Sequence, residues 1–157
     1  MRADDIAGFV AALGMRVIRV ADGASIPGSY WGDDEAGLIG DELYVRGDTP
    51  VHSLLHELCH WLCMDRARRA ALHTNAHPIG DDIEENATCY LQCLLADRLP
   101  GYSRTRCFAD MEAWGYSFVL GSAAAWFERD SEDAQAFLRK YGLIDAAGGA
   151  SGQRRLT

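Results

Sequence analysis

The fold is decided by the stretch 50–71, whose centre reads His56-Glu57-Leu58-Cys59-His60. Pro50 is typical of the first turn of a helix, so we expect one helix from there to about Ala71. On a helix, residues four apart lie about 40° apart around the axis and ~6 Å along it. His56 and His60 can therefore offer their imidazoles to one metal ion, with Glu57 close enough to address a water at that ion.

The rest of the chain reads as a small sheet followed by helices, which is an α+β order. We expect strands at 15–20 and 42–46 and a shorter strand at 37–39, with a hairpin turn at Gly40-Asp41. Helices are expected at 3–13, from Asp81 or Asp82 to before Pro100, and at 107–114, 122–129 and 131–141. The predicted architecture is a small antiparallel sheet packed on two long helices, with a helical C-terminal third. A single domain is expected over residues 1–145, and the Gly/Ala-rich tail 146–157 is expected to be disordered.

Composition narrows the class of protein. The chain has 157 residues and a formal net charge of −8, which opposes a general affinity for nucleic acid or for an anionic membrane. No apolar stretch approaches the ~20 residues of a membrane span, and the start Met1-Arg-Ala-Asp-Asp lacks the features of a secretory signal. We therefore expect a cytoplasmic protein. Its five cysteines are then expected to be free, buried thiols rather than disulfides or a separate four-cysteine metal site.

A catalytic zinc usually has three protein ligands and a water, so a third ligand should join the two histidines. Three known arrangements of metal ligands do not fit this sequence, because each needs a residue that the chain lacks at the required position. One arrangement needs Gly three residues after His60 and His three residues further on, but this chain has Cys63 and Arg66 at those positions. A deformylase-like site needs an upstream cysteine, but none precedes Cys59. A three-histidine pattern that starts at His52 needs His where Leu62 stands.

The remaining option is a glutamate from the second long helix, which offers both Glu84 and Glu85. Helical phase places Glu84 on an apolar stripe that is expected to face the first helix. The stripe of Glu84 contains Ala87, Thr88, Leu91 and Leu95, and that of Glu85 contains Cys89, Gln92 and Ala96. This periodicity favours Glu84 as the third ligand and leaves Glu85 as the alternative.

Over residues 40–100 the chain resembles the ImmA/IrrE family of zinc metallopeptidases. The resemblance rests on the following motifs: Leu43-Tyr44-Val45-Arg46, His56-Glu57-x-x-His60, and Glu84-x-x-Ala87 followed by Tyr90 and Leu94-Leu95. It departs from the family at Cys59, where glycine is frequent, and at Thr88, where Asn or Asp is more frequent. The resemblance implies a minimal zincin-like, gluzincin-type fold and a cytoplasmic peptidase that cleaves a particular regulatory protein.

The expected chemistry is zinc-dependent hydrolysis of a peptide bond, with His56, His60 and Glu84 as ligands. Glu57 is the expected base that assists attack by zinc-bound water. The rival interpretation is a non-catalytic zinc-binding or protein-interaction domain, which would not need Glu57. The candidates for stabilising the oxyanion of the reaction are His73, His77, Tyr90 and Tyr102. The strand 42–46, if it lies at a sheet edge, could pair with an extended peptide or protein substrate.

Overall fold

A computed structural model of the chain describes residues 3–29, 33–73, 80–116 and 121–157. Within these residues there are seven helices and three strands, and their order confirms the α+β class. The elements are α1 (Ala3–Ala12), β1 (Arg16–Arg19), β2 (Gly37–Ile39), β3 (Glu42–Val45), α2 (Val51–Cys63), α3 (Arg66–Ala70), α4 (Asp82–Ala96), α5 (Arg104–Ala113), α6 (Ala123–Arg129) and α7 (Glu132–Lys140).

The sheet has the order β1-β3-β2 and is mixed rather than antiparallel. The expected hairpin forms β2 and β3, with Gly40 at a positive φ of 59° in its turn. β1 pairs with the other side of β3 in parallel, from Arg16 opposite Glu42 to Arg19 opposite Val45. The expectation of an antiparallel sheet was therefore wrong for this pair. Because β3 is hydrogen-bonded on both sides, it offers no free edge to a peptide, and the predicted substrate-binding role of strand 42–46 was wrong too.

The outer side of β2 is also covered. A Cβ atom on Gly37 would collide with the Pro27 carbonyl, so residues 27–29 lie close along this short strand. The backbone N–H of Ala36 donates to the Ser53 hydroxyl at 3.0 Å and ties the start of β2 to α2. The hairpin is thereby held against the helix that carries the His-Glu-x-x-His motif.

The predicted helix over 50–71 is interrupted near its C-terminal end. α2 ends at Cys63, and Met64 and Asp65 are extended, with ψ of 146° and 165°. The Asp65 carboxylate accepts a hydrogen bond from the Arg68 N–H at 2.8 Å and so caps the separate short helix α3. After the break, Nη1 of Arg68 on α3 lies 2.7 Å from a carboxylate oxygen of Glu84 in the first turn of α4.

The core lies between α2 and α4, with α7 packed on α4 and the sheet on α2. Large side chains that are almost fully buried include Leu55, Leu58, Leu62, Leu91 and Leu95. Burial of each such leucine contributes roughly 1.5–3 kcal/mol to folding. Asp81 caps α4 by accepting from the Glu84 N–H at 2.8 Å, which fixes the first turn of that helix.

The segment 146–157, which the sequence predicts to be a disordered tail, packs against the body of the domain in the structure. Ile144 forms a β-bridge with Ala150, and the Arg155 N–H donates to the Leu62 carbonyl at 2.9 Å. The Arg155 guanidinium lies 3.8 Å from the centroid of the Tyr141 ring. An arginine stacked in this way joins the end of the chain to α2 and to the residues after α7.

All five cysteines are buried and free, as predicted. In the part of the chain that the structure describes, no helix combines the length and the apolar character that crossing a membrane requires.

Candidate metal centre

The two histidines of α2 face the first turns of α4. Their ring centroids lie 4.5 Å apart, nearly perpendicular, as expected for residues four apart on one helix face. Nε2 of His56 lies 3.2 Å from one carboxylate oxygen of Glu85, and Nε2 of His60 lies 3.3 Å from the other. These three residues therefore form a group that could hold a metal ion, with ligand atoms within 4.8 Å of one another.

The carboxylate that meets the histidines is that of Glu85, whereas helical phase favoured Glu84. Glu84 is 4% exposed, as its apolar stripe indicated, but its partners are arginines. Both of its carboxylate oxygens accept from Nη1 of Arg68, at 2.7 and 2.8 Å, and Nη1 of Arg155 lies 3.5 Å away. Its burial is thus explained by a salt bridge beneath α3 and the C-terminal segment. The structure brings His56 and His60 together as predicted, but not Glu84.

Gln92, two turns after Glu85 on the same face of α4, fixes the tautomer of His56. Its side-chain Nε2 donates to the His52 carbonyl at 3.0 Å, and a carbonyl can only accept. Its Oε1 is therefore the atom that lies 3.0 Å from Nδ1 of His56, and Nδ1 must carry the proton. When the ring is neutral, as a metal ligand must be, its lone pair is therefore on Nε2, the atom that lies 3.2 Å from Glu85. Gln92 is fully buried, so the arrangement is held in the core.

Glu57 lies in the same electrostatic environment as the candidate ligands. Burial, together with the nearby negative charges of Glu35 and Glu85, raises its pKa to about 7, although His56 opposes this. For His56, burial by itself would lower the pKa, but Tyr116, Cys89 and Glu85 around the ring outweigh it and raise the pKa well above its usual value. A carboxyl group with a pKa near 7 can both accept and return a proton near neutral pH.

A cleft of about 490 Å³ opens beside the centre, and Tyr116 lies on its wall with His56 and Glu85. The Tyr116 ring centroid is 5.6 Å from that of His56, nearly perpendicular to it. Burial raises the pKa of the Tyr116 hydroxyl, so this group stays protonated and able to donate. Sequence reasoning missed Tyr116, because it lies 56 residues beyond the motif and has no spacing that links it to α2.

The four oxyanion candidates chosen from the sequence lie elsewhere or outside the described residues. Tyr90 stacks on Phe127 with centroids 4.3 Å apart, and the Tyr102 hydroxyl donates to Asp110 at 2.6 Å. His73 is exposed and is not among the residues that line the cleft, and His77 lies outside the described residues. None of the three described candidates is therefore placed to act at the cleft.

His52 does not join the centre, in keeping with its position one turn before His56. Its ring is 1% exposed and packs against Trp114, with centroids 4.5 Å apart. Within the described residues neither of its ring nitrogens has a hydrogen-bond partner. Burial therefore lowers the pKa of His52 to about 4.

No protein-family model, no curated protein and no solved structure matches the chain. The resemblance to the ImmA/IrrE family therefore rests only on the sequence motifs in β3, α2 and α4.

Proposed function

We propose that the chain is a zinc-dependent metallopeptidase of the ImmA/IrrE type, in which His56, His60 and Glu85 hold the ion and Glu57 is the general base. The observation that carries this proposal is the convergence of two imidazole nitrogens and one carboxylate beside a cleft, with the Glu57 carboxyl group near enough for the charges of His56 and Glu85 to change its pKa. Two imidazoles, one carboxylate and an open position are the ligand set of the gluzincin-type hydrolases that the motifs resemble.

The distances test whether zinc fits. For zinc–ligand bonds of about 2.0–2.1 Å, the edge between two ligand atoms of a tetrahedron is ~3.3 Å. The separations of 3.2 and 3.3 Å between the His Nε2 atoms and the Glu85 oxygens match this edge. Each nitrogen lies at this distance from a different oxygen of Glu85, and without an ion the His56 contact is a hydrogen bond that raises the pKa of His56. The match to the tetrahedral edge supports the proposal that these atoms share an ion.

Each residue then has a chemical role. A bound zinc ion would supply Lewis acidity, which polarises a carbonyl and makes a water acidic at neutral pH. Glu57 accepts the proton of the attacking water and returns it to the leaving amine, a role suited to its raised pKa. Gln92 holds His56 in the tautomer that presents Nε2 as a ligand.

Tyr116 is the residue that we assign to the oxyanion. Its hydroxyl is protonated at neutral pH and its ring borders His56 in the cleft. A preorganised donor near the developing negative charge lowers the barrier to acyl transfer, because it needs no reorganisation at the moment of reaction. Tyr116 thereby takes the place of the four candidates that the sequence suggested.

The substrate class in this proposal comes from the resemblance, which implies a particular regulatory protein in the cytoplasm. The acidic balance of the chain supports a protein or peptide substrate over nucleic acid or an anionic membrane, because a charge of −8 repels polyanions.

The test compares three variants of the purified protein for zinc content and for hydrolysis of a quenched peptide library. Glu57→Gln should bind zinc as the wild type does but lose hydrolysis by at least about 100-fold. His56→Ala should lose both, and Glu132→Gln, a carboxylate that does not line the cleft, should change neither. Zinc binding without hydrolysis in every sample would favour the non-catalytic binding domain. Wild-type turnover by Glu57→Gln would refute the assigned base.

A further inference from the structure

The cleft beside the candidate metal centre is lined by two aspartates in addition to the candidate ligand Glu85. They are Asp130 and Asp133, from the junction between α6 and α7. Both aspartates are exposed, and within the described residues neither makes an ion pair. Two carboxylates without a partner at the wall of a cleft lower the electrostatic potential inside it and attract a cation.

No lysine or arginine in the described lining of the cleft offsets the charges of the two aspartates. The stretch 117–120, which directly follows Tyr116, reads Ser-Phe-Val-Leu and adds no positive charge in the sequence. At the α6–α7 side of the cleft, a substrate group therefore meets two carboxylates with no lysine or arginine beside them among the described lining residues.

Part of the cleft lining is aromatic. Trp126 and Tyr116 line the same cleft as the two aspartates. Aromatic faces accommodate the aliphatic stem of lysine or arginine and attract its cationic end through the ring quadrupole. Carboxylates and aromatic rings in one cleft are thus the combination that recognises a basic side chain.

Helix stability alone does not account for the aspartates. Asp130 is the C-cap of α6, where a negative charge opposes that helix's dipole, and within the described residues its side chain accepts no cap hydrogen bond. Asp133 lies in the first turn of α7, where a carboxylate is favourable, but Glu132 supplies a charge in the same turn and does not line the cleft. Glu132 is therefore a matched control for Asp133.

We propose that this cleft selects substrates that carry a lysine or arginine beside the cleaved bond, with the basic group bound at Asp130 and Asp133 and its stem against Trp126. The proposal rests on the proposed peptidase function for the position of the cleaved bond. The binding preference itself depends only on the cleft.

The experiment uses quenched peptides that are identical except for Lys, Gln or Glu at one position, which is scanned across the sequence. The wild type should cleave the best Lys peptide about tenfold faster, in kcat/KM, than its Gln counterpart, as two partly exposed ion pairs allow. Asp130→Asn/Asp133→Asn should bring the two rates to within about twofold and leave the Gln peptide unchanged. Glu132→Gln should keep the full preference, and circular dichroism should confirm that all variants are folded.

Binding of the same peptides to Glu57→Gln, followed by fluorescence anisotropy, separates this proposal from the proposed function. If no peptide is cleaved but Lys peptides bind best, and lose that advantage in the double aspartate variant, the peptidase function fails and the basic-side-chain site stands. If peptides are cleaved without preference for Lys over Gln, the site is overturned and the function stands. Absence of both cleavage and a Lys preference in binding overturns both.

Discussion

Two neighbouring glutamates on α4 should respond in opposite ways to the same substitution. Glu85→Gln removes a carboxylate that lies 3.2 and 3.3 Å from the two imidazole nitrogens. Glu84→Gln removes a carboxylate that is 4% exposed and bonded to Arg68. The first change should act on metal affinity and the second on the stability of the fold.

The magnitudes follow from these environments. Loss of a residue that only supports a ligand costs roughly 10–100-fold in metal affinity, so loss of the ligand Glu85 should cost at least about 100-fold. A 100-fold loss removes about 2.7 kcal/mol of zinc-linked stabilisation at saturating zinc. Glu84→Gln leaves the Arg68 and Arg155 guanidinium groups without their anion. Because Arg68 is about one third exposed, we expect the lower end of the range for a broken buried pair, about 3 kcal/mol, or roughly 6–12 °C in Tm.

Thermal denaturation with chelator and with zinc measures both quantities in one assay. Glu84→Gln should have a lower Tm in both conditions, with a zinc-induced increase like that of the wild type. Glu85→Gln should have a Tm close to the wild type in chelator and should lose most of the zinc-induced increase. A normal zinc response in Glu85→Gln, together with its loss in Glu84→Gln, would refute our assignment and restore the ligand that helical phase favoured.

Four further predictions concern residues around the centre. Gln92→Leu should weaken zinc binding by about 10–100-fold in competition with a chelator, because His56 loses its orienting acceptor. Tyr116→Phe should lower kcat by about 100-fold with little change in KM, because in our proposal its hydroxyl stabilises the oxyanion. Arg155→Ala should lower the free energy of unfolding by about 2–3 kcal/mol in denaturant titrations, because it frees the C-terminal segment from Tyr141 and Glu84. His52 has a pKa of about 4 when folded and near 6.5 when unfolded, so the unfolded chain binds the extra proton between these values. Stability should therefore be complete above about pH 6.5 and fall by up to about 3 kcal/mol as the pH approaches 4, and His52→Leu should remove this part of the pH dependence.

Each of these has a result that contradicts it. Unchanged zinc affinity in Gln92→Leu would show that the His56 tautomer does not need its amide. A rise in KM without a fall in kcat would make Tyr116 a binding residue. Arg154, which is exposed and lies 5.3 Å from the Trp61 ring centroid, is the comparison for Arg155, and an equal or larger loss of stability in Arg154→Ala would contradict Arg155 as the main anchor. An identical acid sensitivity of wild type and His52→Leu, measured in chelator, would exclude His52 as its source.

The sequence specifies one half of the site well and the other half less well. His56, Glu57 and His60 share one uninterrupted helix, so their mutual geometry follows from the helical repeat alone. The choice between Glu84 and Glu85 depends on the rotation of α4 relative to α2, which the apolar stripe indicates only if buried positions face that helix. Glu84 is buried for another reason, its pairing with Arg68. The signal that could have found Glu85 was Gln92, a buried polar residue seven positions away on the same face.

In the fold, too, features set by local sequence signals were predicted and features set by distant contacts were missed. The strands and most helices were expected within a few residues, because turns and caps such as Gly40 and Asp81 are local signals. The break at Asp65 was missed, because its side chain caps a new helix in place of continuing the old one. The parallel pairing of β1 with β3 and the packing of residues 146–157 depend on contacts between distant parts of the chain, which spacing does not encode.

The ligand set is tested most directly by anomalous diffraction at the zinc absorption edge from crystals of the zinc-loaded protein. We predict one strong peak within about 2.0–2.2 Å of Nε2 of His56, Nε2 of His60 and a carboxylate oxygen of Glu85. A peak at Glu84, or one surrounded by the buried cysteine sulfurs with the histidines empty, would contradict it.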